Sequence, residues 1–208
     1  MGKTRIRALV LDYGGVISKP QNPENVSNML QILNQDDTDF RSVYREKRDN
    51  YDNGQLSGEE YWHSILQHYG LEQNGSNVAK LIQEDIESWT QIDDSMIQFI
   101  KENRENLHKL AIISNMTRDC LVFMKKHFQW LEAFDELTFS CEFGINKPDA
   151  KIYEAFLSRI EIPSQECLFV DDIVENMNGA MKSGMNVIHF KSFLQFRQEV
   201  EQNYRFSR

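Results

Sequence analysis

The sequence predicts an α/β protein: a doubly wound parallel sheet that carries an inserted block of helices. Three observations support this. Ala8–Leu11, Leu110–Ile113 and Cys167–Val170 are short, continuous apolar runs, as expected of strands buried on both faces. Between and after these runs lie stretches of helical period, the alternation that builds parallel sheets. Each run also stops at polar residues, Asp12, Ser114-Asn115 and Asp171-Asp172 in turn, at the end of the strand where open α/β sheets bind ligands.

The elements follow in order. Behind Asp12, Tyr13 leads into Gly14-Gly15, which lets the backbone turn sharply and bring its N–H groups close to an anion. From Ser18 to about Thr90 the chain is polar and helical in period. Asn22-Pro23 reads as an N-cap with proline at the first helical position, and Val26, Met29, Leu30 and Leu33 share one helix face. A second helix is expected over Asp37–Asn50, ending at Asn53-Gly54. Ser57 and Glu60 have capping-box spacing and open a third. Val78, Leu81, Ile82, Ile86 and Trp89 mark a fourth. The expected division is therefore a core of residues 1–17 and 91–208 and a helical insert of residues 18–90. Beyond it, Asp93 or Asp94, Thr117 and Asp149 are placed to cap helices, Leu137–Ser140 and Val187–Phe190 read as further strands, and Gly184 ends a helix. The tail from Phe193 is expected to be helical at first and then to fray.

With 208 residues, 40% hydrophobic and 26% charged, the chain suits one sizeable domain or a domain with an insertion. A formal net charge of −9 argues against nucleic acid or an anionic membrane surface as the main partner. No stretch approaches the roughly 18 apolar residues of a membrane span. The basic start of the chain precedes an apolar run too short for a signal peptide. Cys120, Cys141 and Cys167 show no CxxC spacing, which suits buried thiols in a reducing, cytoplasmic setting. A monomer or a homodimer is expected.

Successive strand ends of a parallel sheet lie along one edge, so Asp12, Asp171 and Asp172 are expected to meet. Three carboxylates held ionised together need a cation, and oxygen-only ligands favour Mg²⁺ over zinc. Lys147 adds a second positive charge. Ser114, the Asn115 side chain and the backbone N–H groups after Asp12, at Tyr13 and Gly14, add neutral donors. This set suits a phosphoryl group: cations on its charge, donors on its oxygens. Asp12 is then placed to attack phosphorus and form an aspartyl-phosphate, which water hydrolyses.

With these residues the chain resembles the haloacid dehalogenase (HAD) superfamily, in the branch with a helical C1 cap inserted after the first strand and a D-x-G-G-V first motif. Asp12 matches the family's nucleophile, Ser114 its phosphate-binding hydroxyl, Lys147 in NKPDAKIY its lysine, and Asp171-Asp172 in LFVDDIVEN its acidic pair. The resemblance implies a Rossmann-like core and Mg²⁺ held by Asp12, the Gly14 carbonyl and Asp172, with Asp171 in or near its shell. It also implies an Mg²⁺-dependent hydrolase acting on a small phosphomonoester, sugar phosphates included, through catalytic Asp12 and Lys147. One position departs from the pattern. Most phosphatases of the family carry a proton-transferring aspartate two residues after the nucleophile, where this chain has Gly14. General acid–base help is worth on the order of 10²–10⁴-fold in rate. Glu59, Glu60 and His63, near a turn of the cap, are the candidates to replace it. Two rival readings are a 2-haloacid dehalogenase, which also uses an aspartate nucleophile, and a non-catalytic phosphoryl-binding protein, which the glycine would favour.

Overall fold

The computed structural model describes residues 2–208. In chain order its elements begin with β1 (Thr4–Ile6), β2 (Ala8–Leu11), α1 (Pro23–Leu33), α2 (Asp37–Glu46), α3 (Arg48–Asp52), α4 (Gly58–His68), α5 (Gly75–Ser88) and α6 (Asp94–Asn103). There follow β3 (Lys109–Ser114), α7 (Arg118–His127), β4 (Glu136–Phe139), α8 (Ser140–Phe143), α9 (Ala150–Ile160), β5 (Cys167–Asp171), α10 (Val174–Lys182), β6 (Asn186–His189), α11 (Phe193–Asn203) and β7 (Tyr204–Phe206).

The main sheet is parallel throughout, in the order β4-β3-β2-β5-β6. The chain leaves β2 towards β3 and β4, then returns to β2's other side through β5. The order thus reverses beside β2, and a crevice opens at such a reversal beyond the carboxyl ends of the strands. Leu11 pairs with Ile112 on one side and Val170 on the other, so Asp12 emerges between the two strand ends that carry Ser114 and Asp171.

Alternation along β2 divides the core. Leu9 and Leu11 pack with Met96, Phe99, Leu121, Met124 and Phe196 on one face of the sheet. Ala8 and Val10 pack with Ile152, Tyr153, Phe156 and Ala180 on the other. Burying a side chain such as Leu or Phe is worth about 1.5–3 kcal/mol. The helices between Pro23 and Ser88 have a third core of their own, built on Met29, Phe40, Tyr51, Tyr61, Trp62 and Leu81. This helical insert joins the sheet through two segments that run side by side. Ser18 bridges Ile92 in antiparallel fashion, Lys19 N–H donates to Gln91 O at 2.7 Å, and Asp93 N–H donates to Ile17 O at 2.9 Å.

The caps lie where the sequence puts them. Asn22, Asp93, Thr117 and Asp149 each accept a backbone N–H at a helix start, and Ser57 and Glu60 form a reciprocal capping box. Two expectations need correction. The helix expected over Asp37–Asn50 is divided at Lys47 into α2 and α3, and Arg48, just past the bend, turns into the insert beneath the rings of Tyr44, Tyr51 and Tyr61. The tail does not simply fray. After α11 it forms β7, which pairs in parallel with β1, Ile6 opposite Phe206, and Ser207 N–H donates to Ile6 O at 2.9 Å. Strands of three residues are too short to show a period.

Candidate active site

Asp12, Lys147 and Asp171 meet at the crevice. The Lys147 ammonium lies 2.9 Å from Asp12 Oδ1 and 2.6 Å from Asp171 Oδ2. Lys147 reaches them from the loop before α9. Asp171 is fully buried and held on several sides: Ile173 N–H donates to Oδ1 at 2.8 Å, and the Asn176 amide donates to both oxygens at 3.1 Å. Asp172 is the exposed member of the group. Asp12, Asp171 and Asp172 each offer a carboxylate oxygen, and these lie within 4.8 Å of one another. Gly15 makes that approach possible. Its φ is +74°, and a Cβ there would fall 2.5 Å from Asp172 Oδ2.

The electrostatics are unbalanced. Three carboxylates face one ammonium, leaving a surplus of negative charge in a largely buried place. Burial pushes the Asp12 carboxyl up to about 7; Lys147 opposes the rise, Asp171 adds to it, and the nearby Ser114 hydroxyl opposes it. Burial works against the charge on Lys147 as well, yet Asp12 and Asp171 hold its ammonium above its ordinary range. An all-oxygen donor set with surplus negative charge is chemically matched to a divalent hard cation such as Mg²⁺.

The other residues singled out in the sequence are placed as follows. Ser114 ends β3, buried beside Asp12. Asn115 lines the cavity, and both ends of its amide also bind the loop that carries the lysine: Nδ2 donates to Lys147 O at 3.0 Å, and Oδ1 accepts from Lys147 N–H at 2.7 Å. Tyr13 also lines the cavity. Its backbone N–H, the group expected to serve an anion, donates to Asp12 Oδ1 at 2.7 Å, and its buried phenol donates to Trp89 O at 2.6 Å. Gly14 lies against Trp89, where a Cβ would meet the indole at 3.4 Å. The direction a longer side chain would take is thus occupied by the Trp89 indole.

A cavity of about 730 Å³ opens over these groups. Asp12, Ser114, Lys147 and Asp172 line its floor; Phe40, Tyr44, Arg48, Asp52 and Trp89 belong to its walls on the insert side. Glu59, Glu60 and His63, the expected proton donors, are not among its lining residues. Glu60 instead caps its own helix, accepting from Ser57 N–H at 2.8 Å. Sequence reasoning missed Arg48 and Asp52. Their one signal is an i, i+4 charged pair near Tyr44, Tyr51 and Tyr61, hidden among the neighbouring charges Arg45, Glu46, Lys47 and Asp49.

A model of the haloacid dehalogenase-like hydrolase family matches residues 6–184. The chain is 26% identical over 200 residues to a sesquiterpene phosphatase from Aspergillus oryzae, which covers 96% of this chain and 97% of the relative. It is also 26% identical over 187 residues to a drimenol cyclase from Aspergillus calidoustus; that match takes in 89% of this chain but only 34% of the relative's length. Among solved structures, a HAD family enzyme from Bacteroides thetaiotaomicron matches with a TM-score of 0.76 at 19% identity, covering 89% of this chain and 94% of that one. The same bacterial enzyme has been seen in complex with magnesium and inorganic phosphate. A HAD-like hydrolase from Porphyromonas gingivalis matches with a TM-score of 0.74 at 20% identity, covering 95% and 98% of the two chains. The structural likenesses are of fold. No helix among the described residues is long and apolar enough to cross a membrane.

Proposed function

The chain belongs to the haloacid dehalogenase-like hydrolases, and from that membership we propose that it hydrolyses a phosphomonoester with Asp12 as nucleophile. The observation that carries this reading is the convergence of Asp12, Asp171 and Asp172 around the Lys147 ammonium on the floor of a cavity large enough for a small organic ester. An Asp12 oxygen forms a bond to phosphorus while the bond from phosphorus to the ester oxygen breaks, and water then cleaves the aspartyl-phosphate. Lys147 and the Ser114 hydroxyl bear on the phosphoryl oxygens. Asn115 contributes by fixing the backbone of Lys147, and Asn176 by fixing Asp171.

Asp12, the Gly14 carbonyl and Asp172 would hold Mg²⁺, with Asp171 beside them. The ion would neutralise charge on the phosphoryl oxygens. Magnesium and phosphate in the bacterial neighbour support this choice of ion and ligand. The surplus acidic charge also weighs against the dehalogenase reading, which needs no cation at the site.

We read residues 18–90 as a cap over a core of residues 1–17 and 91–208. The paired segments at Ser18 and Ile92 support that division, and opening of such a cap would admit substrate and closing would exclude water. Phe40, Tyr44 and Trp89 in the cavity wall and the similarity to a sesquiterpene phosphatase favour the phosphate ester of an apolar alcohol over a sugar phosphate. The test is phosphate release from a panel of phosphate esters. Asp12→Asn should abolish release while leaving the circular dichroism spectrum intact; EDTA should stop release and Mg²⁺ restore it. Turnover by Asp12→Asn would overturn the assignment.

A further inference from the structure

Gly14 leaves the reaction without the acid that its position supplies in most related phosphatases, and the alcohol leaving group of an alkyl phosphate departs poorly unless protonated. We propose that Asp52, on the insert side of the cavity, is the proton donor to the leaving group, an inference that rests on the phosphatase reading above.

Position comes first. Asp52 ends α3 and lines the same cavity as Asp12 and Lys147. Its backbone is tied to the edge of the sheet: Ser140 Oγ donates to Asp52 O at 2.5 Å and accepts Met116 N–H at 2.9 Å, two residues beyond Ser114. One turn earlier, Asn146, the neighbour of Lys147, donates to Asp49 O at 2.7 Å. Tyr51 reaches Asp119 of α7 at 2.8 Å. The short helix is therefore pinned directly above the loops that carry Ser114 and Lys147, on the side from which a leaving group would depart towards the insert.

The local charge balance supplies the proton. Arg48 is shared by two carboxylates, 2.7 Å from Asp52 Oδ1 and 2.8 Å from Asp85 Oδ2. Asp85 also accepts the Tyr44 hydroxyl at 2.6 Å, so both of its oxygens are engaged by protein donors. Two carboxylates on one guanidinium leave one negative charge in excess, in a pocket walled by Tyr44, Tyr51 and Tyr61. A proton on Asp52 removes the excess. Burial raises the Asp52 carboxyl, with Arg48 opposing the rise and Asp85 and Asp49 adding to it. Its side chain retains 15% exposure, and among the described residues Oδ2 has no protein hydrogen-bond partner, so that edge is free to face a ligand.

In the first step the Asp52 O–H bond breaks and its proton goes to the ester oxygen as that oxygen leaves phosphorus for Asp12. Asp52 is left as a carboxylate beside Arg48. In the second step it takes a proton from the attacking water, whose oxygen joins phosphorus as the bond to Asp12 breaks, and the starting state returns.

The experiment compares two substrates on the Mg²⁺-supplemented full chain: an alkyl phosphate, and dinitrophenyl phosphate, whose leaving group needs no proton. Asp52→Asn should lower alkyl phosphate turnover by about 10²–10⁴-fold while largely sparing the dinitrophenyl ester. Both rates come from the same folded fraction, so their ratio is blind to partial unfolding. Asp52→Glu, which keeps a carboxyl group, should recover much of the alkyl turnover. Equal losses on both esters, or no loss on either, would overturn the role of Asp52 alone. Wild-type protein inert towards both esters would overturn the phosphatase reading and this role with it.

Discussion

The Lys147 ammonium and the Asp171 carboxylate stand 2.6 Å apart with side-chain exposures of 1% and 0%, a charge pair cut off from solvent at the end of the central strands. The same ammonium touches Asp12 at 2.9 Å, so a single cation from a loop restrains two of the three acids at the site.

Removing that cation leaves buried carboxylates uncompensated. Lys147→Met should cost about 3–5 kcal/mol of stability, the range for a buried pair broken on one side. Neutralising an acid in the same molecule, as in Lys147→Met with Asp12→Asn, should recover part of the loss. Urea denaturation of the two variants beside wild type checks this; additive losses would contradict it.

The two glycines after Tyr13 should differ sharply on substitution. Gly15 has a φ of +74°, and a Cβ there would strike Asp172 Oδ2 at 2.5 Å, whereas at Gly14 a Cβ meets Trp89 at an ordinary 3.4 Å. Gly15→Ala should lose at least about 1–2 kcal/mol through the left-handed backbone alone, and its affinity for Mg²⁺ should fall as Asp172 is displaced. Gly14→Ala should fold and bind the ion nearly as wild type does. Calorimetric titration with Mg²⁺ and thermal melts separate the two cases.

Stability should depend on pH in a way that Mg²⁺ erases. Burial lifts the Asp12 carboxyl from its ordinary 3.8 to about 7, so between those values the folded chain keeps a proton that the unfolded chain has released. The unfolded state then binds fewer protons, and stability from this group falls as pH rises through that window and levels off above it. A bound cation favours the carboxylate and removes the fall. The gain in Tm on adding Mg²⁺ to EDTA-treated protein should therefore be larger at pH 8 than at pH 5. An equal gain at both would count against Asp12 as a ligand.

Ser140 joins the insert to the sheet edge through two hydrogen bonds, to Asp52 O and from Met116 N–H. Ser140→Ala leaves that buried N–H without its partner, at a cost of about 1–3 kcal/mol. It should also loosen α3, raising KM for phosphate esters. Denaturant midpoints and steady-state kinetics of the one variant read both effects.

Much of the core was legible in the chain itself. The runs Ala8–Leu11, Leu110–Ile113 and Cys167–Val170 lie in the three central strands, the caps at Asn22, Ser57, Asp93 and Thr117 stand where residue type and spacing place them, and Asp12, Ser114, Lys147, Asp171 and Asp172 converge. These features repeat along one dimension: apolar period, a capping side chain, a polar residue just past a strand. The strand order then brings the ends together, because a parallel sheet aligns its carboxyl ends.

Only the tertiary structure decided which side chains face the cavity. It joined the Tyr13 phenol to Trp89 O and the Asn115 amide to the Lys147 backbone, contacts that residue type alone does not specify. It bent the chain at Lys47, placed Arg48 between Asp52 and Asp85, and pinned α3 over the sheet edge through Ser140. The physical reason is one of range. Helices, strands and caps arise from neighbours a few residues apart, whereas the facing of a side chain and the sharing of one arginine by two acids depend on packing between segments far apart in the chain.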